Sequence, residues 1–173
     1  MSDWISRRHE AGGVVSEAVY SRCERYRYLL TRRWGSGRAL LYIMLNPSTA
    51  TEIANDPTIE RCERRARALG FEALLIGNLF AWRETSPALL RKADDPVGPD
   101  NAAALDRAVR EADEVLAAWG VHGAHLDEGA RMERWLRERG VRLRTLGLTR
   151  AGHPRHPLYV SYATPLLDWP AGG

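Results

Sequence analysis

Residues 39–48 of the chain read Ala-Leu-Leu-Tyr-Ile-Met-Leu-Asn-Pro-Ser, and this stretch decides the fold. Its first seven residues are continuously apolar, which is typical of a β-strand covered on both faces, as in a parallel sheet. Pro47 has no backbone N–H to donate and holds the residue before it extended, so the strand is expected to stop at Asn46. The stretch therefore predicts a buried strand that ends in a rigid polar turn.

Strands and helices are expected to alternate after this first strand. Three further apolar runs predict strands, at residues 73–77, 114–119 and 142–146. Helical spacing and N-cap signals occupy the segments between them, with helices expected after Asp56, after Asp100 and from about Leu126. This alternation predicts a three-layer α/β/α fold with a central four-stranded parallel sheet.

The residues before the first strand predict an antiparallel β-hairpin. Residues 14–20 and 26–34 are rich in β-forming side chains and are separated by a short polar segment. We expect this N-terminal hairpin to precede the parallel sheet and to extend or cover its edge. A length of 173 residues with 45% hydrophobic residues further predicts a single α/β domain over residues 1–173.

The composition disfavours several classes of protein. The sequence has no apolar run long enough for a membrane span and no apolar middle region of a secretory signal, so we expect a cytoplasmic protein. Two cysteines are too few for an iron–sulfur cluster or a cysteine-built zinc site. His-x-x-His pairs at 122–125 and 153–156 lack an accompanying ligand at a familiar spacing. We therefore expect no metal and no cofactor, and leave the oligomeric state open.

Arginine dominates the positive charge of the chain. The sequence has 25 Lys and Arg against 22 Asp and Glu, a net charge of +3, and Lys92 is its only lysine. Arginine suits bidentate phosphate contacts, and six arginines between Arg22 and Arg38 would form a basic face if they are exposed. A GC-rich coding sequence produces the same bias, so both interpretations stay open.

The polar turn Asn46-Pro47-Ser48 is the first candidate site segment, because ligands of parallel α/β sheets bind beyond the carboxyl ends of the strands. The proline holds Asn46 extended, so its amide can be aimed with little loss of entropy. The alternative is an Asx-turn that only closes the strand.

The second candidate segment follows the strand at 73–77. Asn78 offers a donor and an acceptor, as recognition of a base edge requires, and Phe80, Trp82 and Arg83 come shortly after it. An aromatic ring can stack on a base. The alternative is a turn asparagine followed by aromatic residues of the core.

The third candidate segment is His153-Pro154-Arg155-His156-Pro157. Its two prolines stiffen the backbone, so the imidazoles and the guanidinium can be presented to a phosphate or a developing anion. A solvent-exposed proline-rich loop is the alternative.

Together these segments resemble the uracil-DNA glycosylase superfamily, and the whole chain looks like a member of an uncharacterised bacterial and phage family near it. The turn at Asn46 is similar to a Gly-Ile-Asn-Pro-Gly motif of the mismatch-specific branch, whose Asn positions the attacking water. Met44 and Leu45 stand in place of its small residues and Ser48 in place of its second glycine. Asn78 looks like the base-recognising Asn of the superfamily.

The segment from His153 to Tyr159 extends this resemblance. His153-Pro154 or His156-Pro157 is similar to a His-Pro-Ser motif that stabilises the departing base and leads to an intercalating residue. Leu158 and Tyr159 are the candidates for that residue. The resemblance implies a uracil-DNA glycosylase-like fold and, as partner, either a nucleic acid, with DNA favoured, or a nucleotide.

Three functions follow as hypotheses. The first is hydrolysis of the N-glycosidic bond of a modified or damaged, flipped nucleotide, with Asn46, His153 and His156 as catalytic residues. The expected binding residues are Pro47, Ser48, Asn78, Phe80, Trp82, Arg83, Arg155, Leu158 and Tyr159. The second is non-catalytic binding of a modified base or nucleotide, because the first motif lacks the Asp or Glu of many branches and no Ser follows His-Pro. The third is a small-molecule nucleotide hydrolase.

Overall fold

A computed structural model describes residues 3–172 of the chain. Within this range, eight strands form one sheet in the order β1-β2-β3-β5-β4-β6-β7-β8. The strands are β1 (Trp4–Ala11), β2 (Val14–Ser21), β3 (Arg27–Arg33), β4 (Ala39–Met44), β5 (Ala73–Asn78), β6 (Glu114–Ala117), β7 (Leu143–Thr145) and β8 (Leu167–Asp168). The α-helices are α1 (Pro57–Ala68), α2 (Pro87–Leu90), α3 (Asn101–Glu111) and α4 (Glu128–Glu138), and 3₁₀ helices cover Val121–Asp127 and Pro157–Tyr159.

The sheet is mixed, and the predicted fold class is therefore wrong. Strands β5, β4, β6 and β7 pair in parallel, whereas β1, β2, β3 and β8 join the same sheet in antiparallel pairs. The sequence predicts a central four-stranded parallel sheet, with a separate N-terminal hairpin that extends or covers its edge, which in the structure is the edge of β5. In the fold, β3 hydrogen-bonds along that edge, from Leu30 opposite Ile76 to Arg33 opposite Ala73, and satisfies its backbone groups.

The outer strands carry little sequence signal. All eight residues of β1 are exposed or only partly buried, so the strand lacks an alternating apolar pattern, and it pairs along its whole length with β2. Strand β8 has two residues and pairs with β7. Both strands extend the sheet beyond the region that hydrophobic patterning could predict.

Helix α1 begins where its capping residues predict. Asp56 Oδ1 accepts a hydrogen bond from the backbone N–H of Ile59 at 2.9 Å, and Pro57 occupies the first turn, where its missing N–H costs nothing. Ile59, Cys62 and Ala66 recur at helical spacing and are buried against the sheet. The helix is thus anchored at the end of the loop that follows β4.

The helices cover both faces of the sheet. Apolar residues of α1 pack with Leu40 and Ile76 on one face, while those of α3 and α4 pack with Leu41 and Leu75 on the other. This follows from the strand order, because the chain moves from β4 to β5 on one side and then crosses back over β4 to β6. The order reverses at β4, so the carboxyl ends of β4 and β6 flank the position where open α/β sheets bind ligands. Among residues 3–172, no helix has the length and apolarity needed to cross a membrane.

Candidate functional site

Asn46 ties together the loops that follow β4 and β5. Its side-chain Nδ2 donates to the backbone carbonyls of Glu84 at 2.7 Å, Pro47 at 3.1 Å and Trp82 at 3.2 Å. The backbone N–H of Glu84 donates in return to the carbonyl of Pro47 at 3.0 Å. These bonds fix the orientation of the half-buried amide, so Oδ1 points away from the carbonyls and can accept a hydrogen bond from a water or a ligand.

Asn78, the last residue of β5, is buried without hydrogen-bond partners for its side chain. It is 1% exposed, and within residues 3–172 neither Nδ2 nor Oδ1 finds a donor or acceptor. Two residues after Ile76 on the same strand, it lies on the sheet face that α1 covers. Leaving a buried amide unpaired costs about 1–3 kcal/mol, so a fold that keeps one there calls for an explanation such as a ligand.

Arg27 places a buried positive charge beneath the loop that follows β4. Its Nη1 donates to the carbonyl of Ala50 at 2.8 Å, whereas its Nε has no partner within the described residues. Burial lowers the pKa of Arg27 to about 10, and the nearby carboxylate of Asp56 opposes this shift. The guanidinium is therefore still charged at neutral pH. Its backbone N–H donates to the carbonyl of Ala81, three residues beyond Asn78.

A buried carboxyl group lies on the same loop. Glu52, 9% exposed, accepts a hydrogen bond from the hydroxyl of Tyr20 through Oε2 at 2.9 Å. Burial raises the pKa of Tyr20, and the contact with Glu52 raises it further. Asp56 uses both oxygens locally, accepting from the N–H groups of Ile59 at 2.9 Å and Ala50 at 3.3 Å. Among the described residues, Glu52 is thus the carboxyl group of this loop with an oxygen that accepts no hydrogen bond.

The loop after β5 brings Arg83 to this group of residues. The Arg83 guanidinium lies over the ring of Tyr20, 5.1 Å from its centre, and Nη1 donates to the carbonyl of Glu24 at 3.1 Å. Trp82 is half-buried and meets Tyr26 edge to face at 5.5 Å. The polar residues at these strand ends and loops, together with His156 of the C-terminal segment, are called the polar crevice below. Its members are Tyr20, Arg27, Asn46, Glu52, Asp56, Asn78, Arg83 and His156.

His156 joins the polar crevice from the C-terminal side. It lies against Gly120 at the end of β6, where a Cβ on the glycine would approach the His156 Cβ to 3.4 Å. Its Nδ1 accepts from the backbone N–H of Leu158 at 3.2 Å, which assigns the proton to Nε2. Burial lowers the pKa of His156, with Asp56 opposing the shift, so the ring is neutral at pH 7.

Several of the predicted residues lie apart from the polar crevice. Phe80 is fully buried in the core on the α3 face, where His125 packs on it at 5.6 Å. His153 lines a separate cleft of about 210 Å³ with Trp119 and Trp169. Tyr159 projects from the surface with 94% of its area exposed.

The remaining predicted residues flank these positions. Pro47 is buried and Ser48 half-buried in the turn itself, which keeps both beside Asn46. Arg155 is exposed, and Leu158 is half-buried. The structure therefore places Asn46, Asn78, Arg83 and His156 at the same edge of the sheet and leaves the exposed loop residues at its rim.

The sequence reasoning missed Tyr20, Arg27, Glu52 and Asp56 as members of the polar crevice. The arginine run predicts a basic surface that includes Arg27, whereas Arg27 and Arg32 are buried. A signal did exist, because Arg27 stands in a strand whose neighbours are buried apolar residues. An arginine in that setting either pairs inside the fold or serves a site.

Five surface clefts of the molecule lie away from the polar crevice. None of five surface clefts of about 180 to 320 Å³ formed by residues 3–172 is lined by Asn46, Asn78 or Arg27. No group of three or more His, Cys, Asp or Glu side chains in that range has the arrangement to hold a metal ion. None of these five clefts opens onto Asn78, which is 1% exposed.

Fold and crevice together define a mixed α/β protein with a buried polar site at the strand ends. The chain belongs to the family described as "Protein of unknown function (DUF1643)", whose model matches residues 27–158. No curated protein and no solved structure matches the chain. The matched region contains Arg27, Asn46, Asn78 and His156 and leaves out β1 and β2.

Proposed function

We propose that the polar crevice binds a nucleobase of a nucleic acid or nucleotide and that the protein hydrolyses its N-glycosidic bond, in line with the resemblance to uracil-DNA glycosylases. The observation that carries the proposal is the unpaired side-chain amide of Asn78, buried at the carboxyl end of β5. An amide with both a donor and an acceptor free matches the edge of a base, which presents both.

The residues around Asn78 supply the other interactions that the reaction requires. Asn46 Oδ1 orients a water for attack on the sugar carbon while its Nδ2 stays bound to three carbonyls. The turn at Asn46 has no Asp or Glu of its own. Glu52, later in the same loop, supplies the carboxyl group instead and is the candidate acceptor for the proton of that water. As the bond to the base breaks, its electron pair leaves with the base, where Arg27 Nε–H and His156 Nε2–H donate to the developing anion.

Binding requires movement, because Asn78 is only 1% exposed. A base reaches it only when side chains of the covering loop shift. The bond from Arg27 to the carbonyl of Ala50 is one contact that holds this loop in place. When the loop opens and this contact breaks, Nη1 becomes available to the ligand beside the unpaired Nε, so entry of the base and opening of the loop are coupled.

The test is release of a base from oligonucleotides that carry uracil, hypoxanthine or a hydroxymethylated base. We expect strand cleavage at the resulting abasic site after alkali treatment, lost in Asn78→Leu and reduced at least about 100-fold in Asn46→Ala, as for loss of an orienting group. Ser161→Ala, an exposed position outside the crevice, is the matched control and keeps full activity. Absence of abasic product from all three substrates overturns the hydrolase proposal.

Non-catalytic binding is the second candidate, because Glu52 Oε2 and Asn46 Nδ2 are already bound within the fold. Tight binding of a modified oligonucleotide that stays intact after long incubation supports this function. Equal affinity for unmodified DNA contradicts it. Competition by free nucleotides but not by DNA supports a nucleotide hydrolase instead.

A further inference from the structure

A second polar feature lies on the opposite face of the sheet, between α3 and α4. A cleft of about 200 Å³ opens there, with a wall formed by Leu79, Val97, Leu105, Met132 and Trp135. Asn101 and Glu128, at the first turns of the two helices, are polar members of the lining, and Ala102 and Arg131 complete it. The cleft is thus mainly apolar, with a few polar groups at one end, as small-molecule sites usually are.

Asn101 presents a hydrogen-bond acceptor without a partner. The residue is 1% exposed, and its Nδ2 donates to the backbone carbonyls of Asn78 at 3.0 Å and Leu79 at 3.2 Å. These two bonds fix the orientation of the amide, so Oδ1 faces away from the strand end. Within residues 3–172, Oδ1 accepts no hydrogen bond. Because Oδ1 itself is buried, a donor in the cleft reaches it only after the side chains that cover it shift.

Glu128 adds a second acceptor to the same lining. The residue is 8% exposed, and Oε1 lies 3.0 Å from Nη1 of Arg131, which also lines the cleft. Burial raises the pKa of Glu128, with Asp127 contributing and Arg131 opposing. The pair is electrically balanced while its carboxylate is ionised. An anion is therefore disfavoured here, and an uncharged or weakly basic donor is favoured.

Trp135 gives the cleft an aromatic surface that is held in place. The guanidinium of Arg139, outside the cleft, stacks on its ring at 3.7 Å from the ring centre, and Nη1 of Arg139 donates to the Trp135 carbonyl at 3.3 Å. A fixed indole offers a flat contact to a flat ligand at little cost in entropy. The apolar neighbours Leu105 and Met132 add to this contact.

We propose that the cleft between α3 and α4 binds a flat, bicyclic aromatic molecule that donates N–H groups to Asn101 Oδ1 and Glu128. A cavity of about 150 Å³ holds benzene, so the larger space here accommodates two fused rings. The site is distinct from the polar crevice and lies on the other face of the sheet. Through Asn101 its occupant adjoins the backbone of Asn78, the residue that anchors the proposed base site.

The probe for this test is 2-aminobenzimidazole, a bicyclic molecule with several N–H donors, titrated by calorimetry into the whole protein. Quinoline, a flat bicyclic molecule of similar size without N–H donors, serves as the comparison ligand. We expect 2-aminobenzimidazole to bind at least about tenfold more tightly than quinoline, as one satisfied buried acceptor predicts. Equal affinities, or absence of binding by either molecule, overturn the proposal.

A pair of variants on one helix locates the binding. Ala102 lines the cleft, whereas its neighbour Ala103 does not, and both are exposed on α3. We expect Ala102→Trp to fill the cleft and abolish binding and Ala103→Trp to leave binding unchanged, with thermal melting showing that both are folded. Undiminished binding by a folded Ala102→Trp overturns the proposed location.

Should Ala102→Trp fail to fold, a threefold or larger loss of affinity in Glu128→Gln supports the site, and an unchanged affinity counts against it. Base release from oligonucleotides is measured separately, so the two proposals fail independently.

Discussion

At the scale of single residues, two buried asparagines differ in how well their amides are satisfied. Asn101 donates twice to carbonyls at the end of β5, whereas Asn78 has no partner for either side-chain atom within the described residues. Both are 1% exposed, so burial alone does not separate them. A side chain that weakens the fold and persists at a strand end indicates a role outside stability.

Replacing Asn78 by leucine is expected to stabilise the folded state. The change removes an unpaired polar group and keeps the branched outline of the side chain with a modest increase in volume, so the free energy of unfolding should rise by about 1–3 kcal/mol in urea denaturation. Asn101→Leu is the matched control and should lower it by about 1–3 kcal/mol, because two carbonyls lose their donor. A loss of stability in Asn78→Leu would mean that the amide is paired in solution.

His156 makes the stability of the C-terminal loop depend on pH. Burial lowers the pKa of this histidine below its usual value of about 6.5, so the unfolded chain binds a proton more readily than the folded one. The stabilising contribution is complete above about pH 6.5 and is lost as the pH falls through the lowered pKa. Protonation also removes the acceptor that Nδ1 offers to the N–H of Leu158.

Urea denaturation between pH 8 and pH 5 measures this dependence. We expect wild-type stability to decline on the acid side and the decline to be smaller in His156→Asn, whose amide oxygen can still accept from the Leu158 N–H. His122→Asn changes an exposed histidine and should keep the full decline. An identical pH profile in His156→Asn would contradict a lowered His156 pKa.

At the scale of elements, α1 holds the C-terminal segment through two arginines. Arg65, buried on α1, donates to the carbonyls of Val160 and Ser161 at 3.1 Å and of Thr164 at 3.0 Å. Arg61 donates to the carbonyl of Val160 at 2.6 Å. These bonds keep the segment after His156 packed against the helix that begins at the polar crevice.

Substitution Arg65→Met should loosen this segment. Loss of three charged hydrogen bonds to carbonyls is expected to lower the free energy of unfolding by about 3 kcal/mol and to speed proteolysis within residues 157–166. Arg64→Met on the same helix removes only an exposed pair with Glu60 and should cost under about 0.5 kcal/mol. Equal proteolysis rates in the two variants would contradict the role of Arg65 in holding the C-terminal segment.

The sequence predicted the positions of helices and strands better than it predicted which strands pair. Asp56 and Pro57 locate the start of α1, and the apolar run from Ala39 marks β4, since capping and burial act within a few residues. The pairing of β3 with β5 is different, because it joins residues forty or more positions apart and depends on which edge is left free. Local patterns carry no information on that choice.

The residues of the candidate site could likewise be predicted only in part. Asn46 and Asn78 stand directly at the ends of apolar runs, so their position at the sheet edge follows from the sequence. Glu52 lies in an irregular loop, and its burial against Tyr20 arises from the pairing of β2 with β3, which brings the tyrosine to the crevice. Tertiary structure alone brings these two residues together.

At the scale of the whole molecule, most arginines are buried or paired with carboxylates. Of the run between Arg22 and Arg38, Arg27 and Arg32 are buried, and Arg22 and Arg38 lie against the carboxylates of Asp3 and Glu114. The basic face expected from composition is therefore much reduced. Long-range attraction of nucleic acid should be correspondingly weak.

The salt dependence of oligonucleotide binding measures how many charges remain for phosphate. Arg155, next to His156 in the chain, and Arg150, in the turn before it, are exposed and have no ion pair within residues 3–172. Two phosphate contacts predict a slope of about −2 for the logarithm of the binding constant against the logarithm of the salt concentration. Arg155→Gln should reduce the slope by about one unit in fluorescence anisotropy titrations. Arg134→Gln, an exposed change on α4, should leave it unaltered. A slope steeper than about −6 would require a phosphate-binding surface far larger than this rim, and would place nucleic-acid binding on another face.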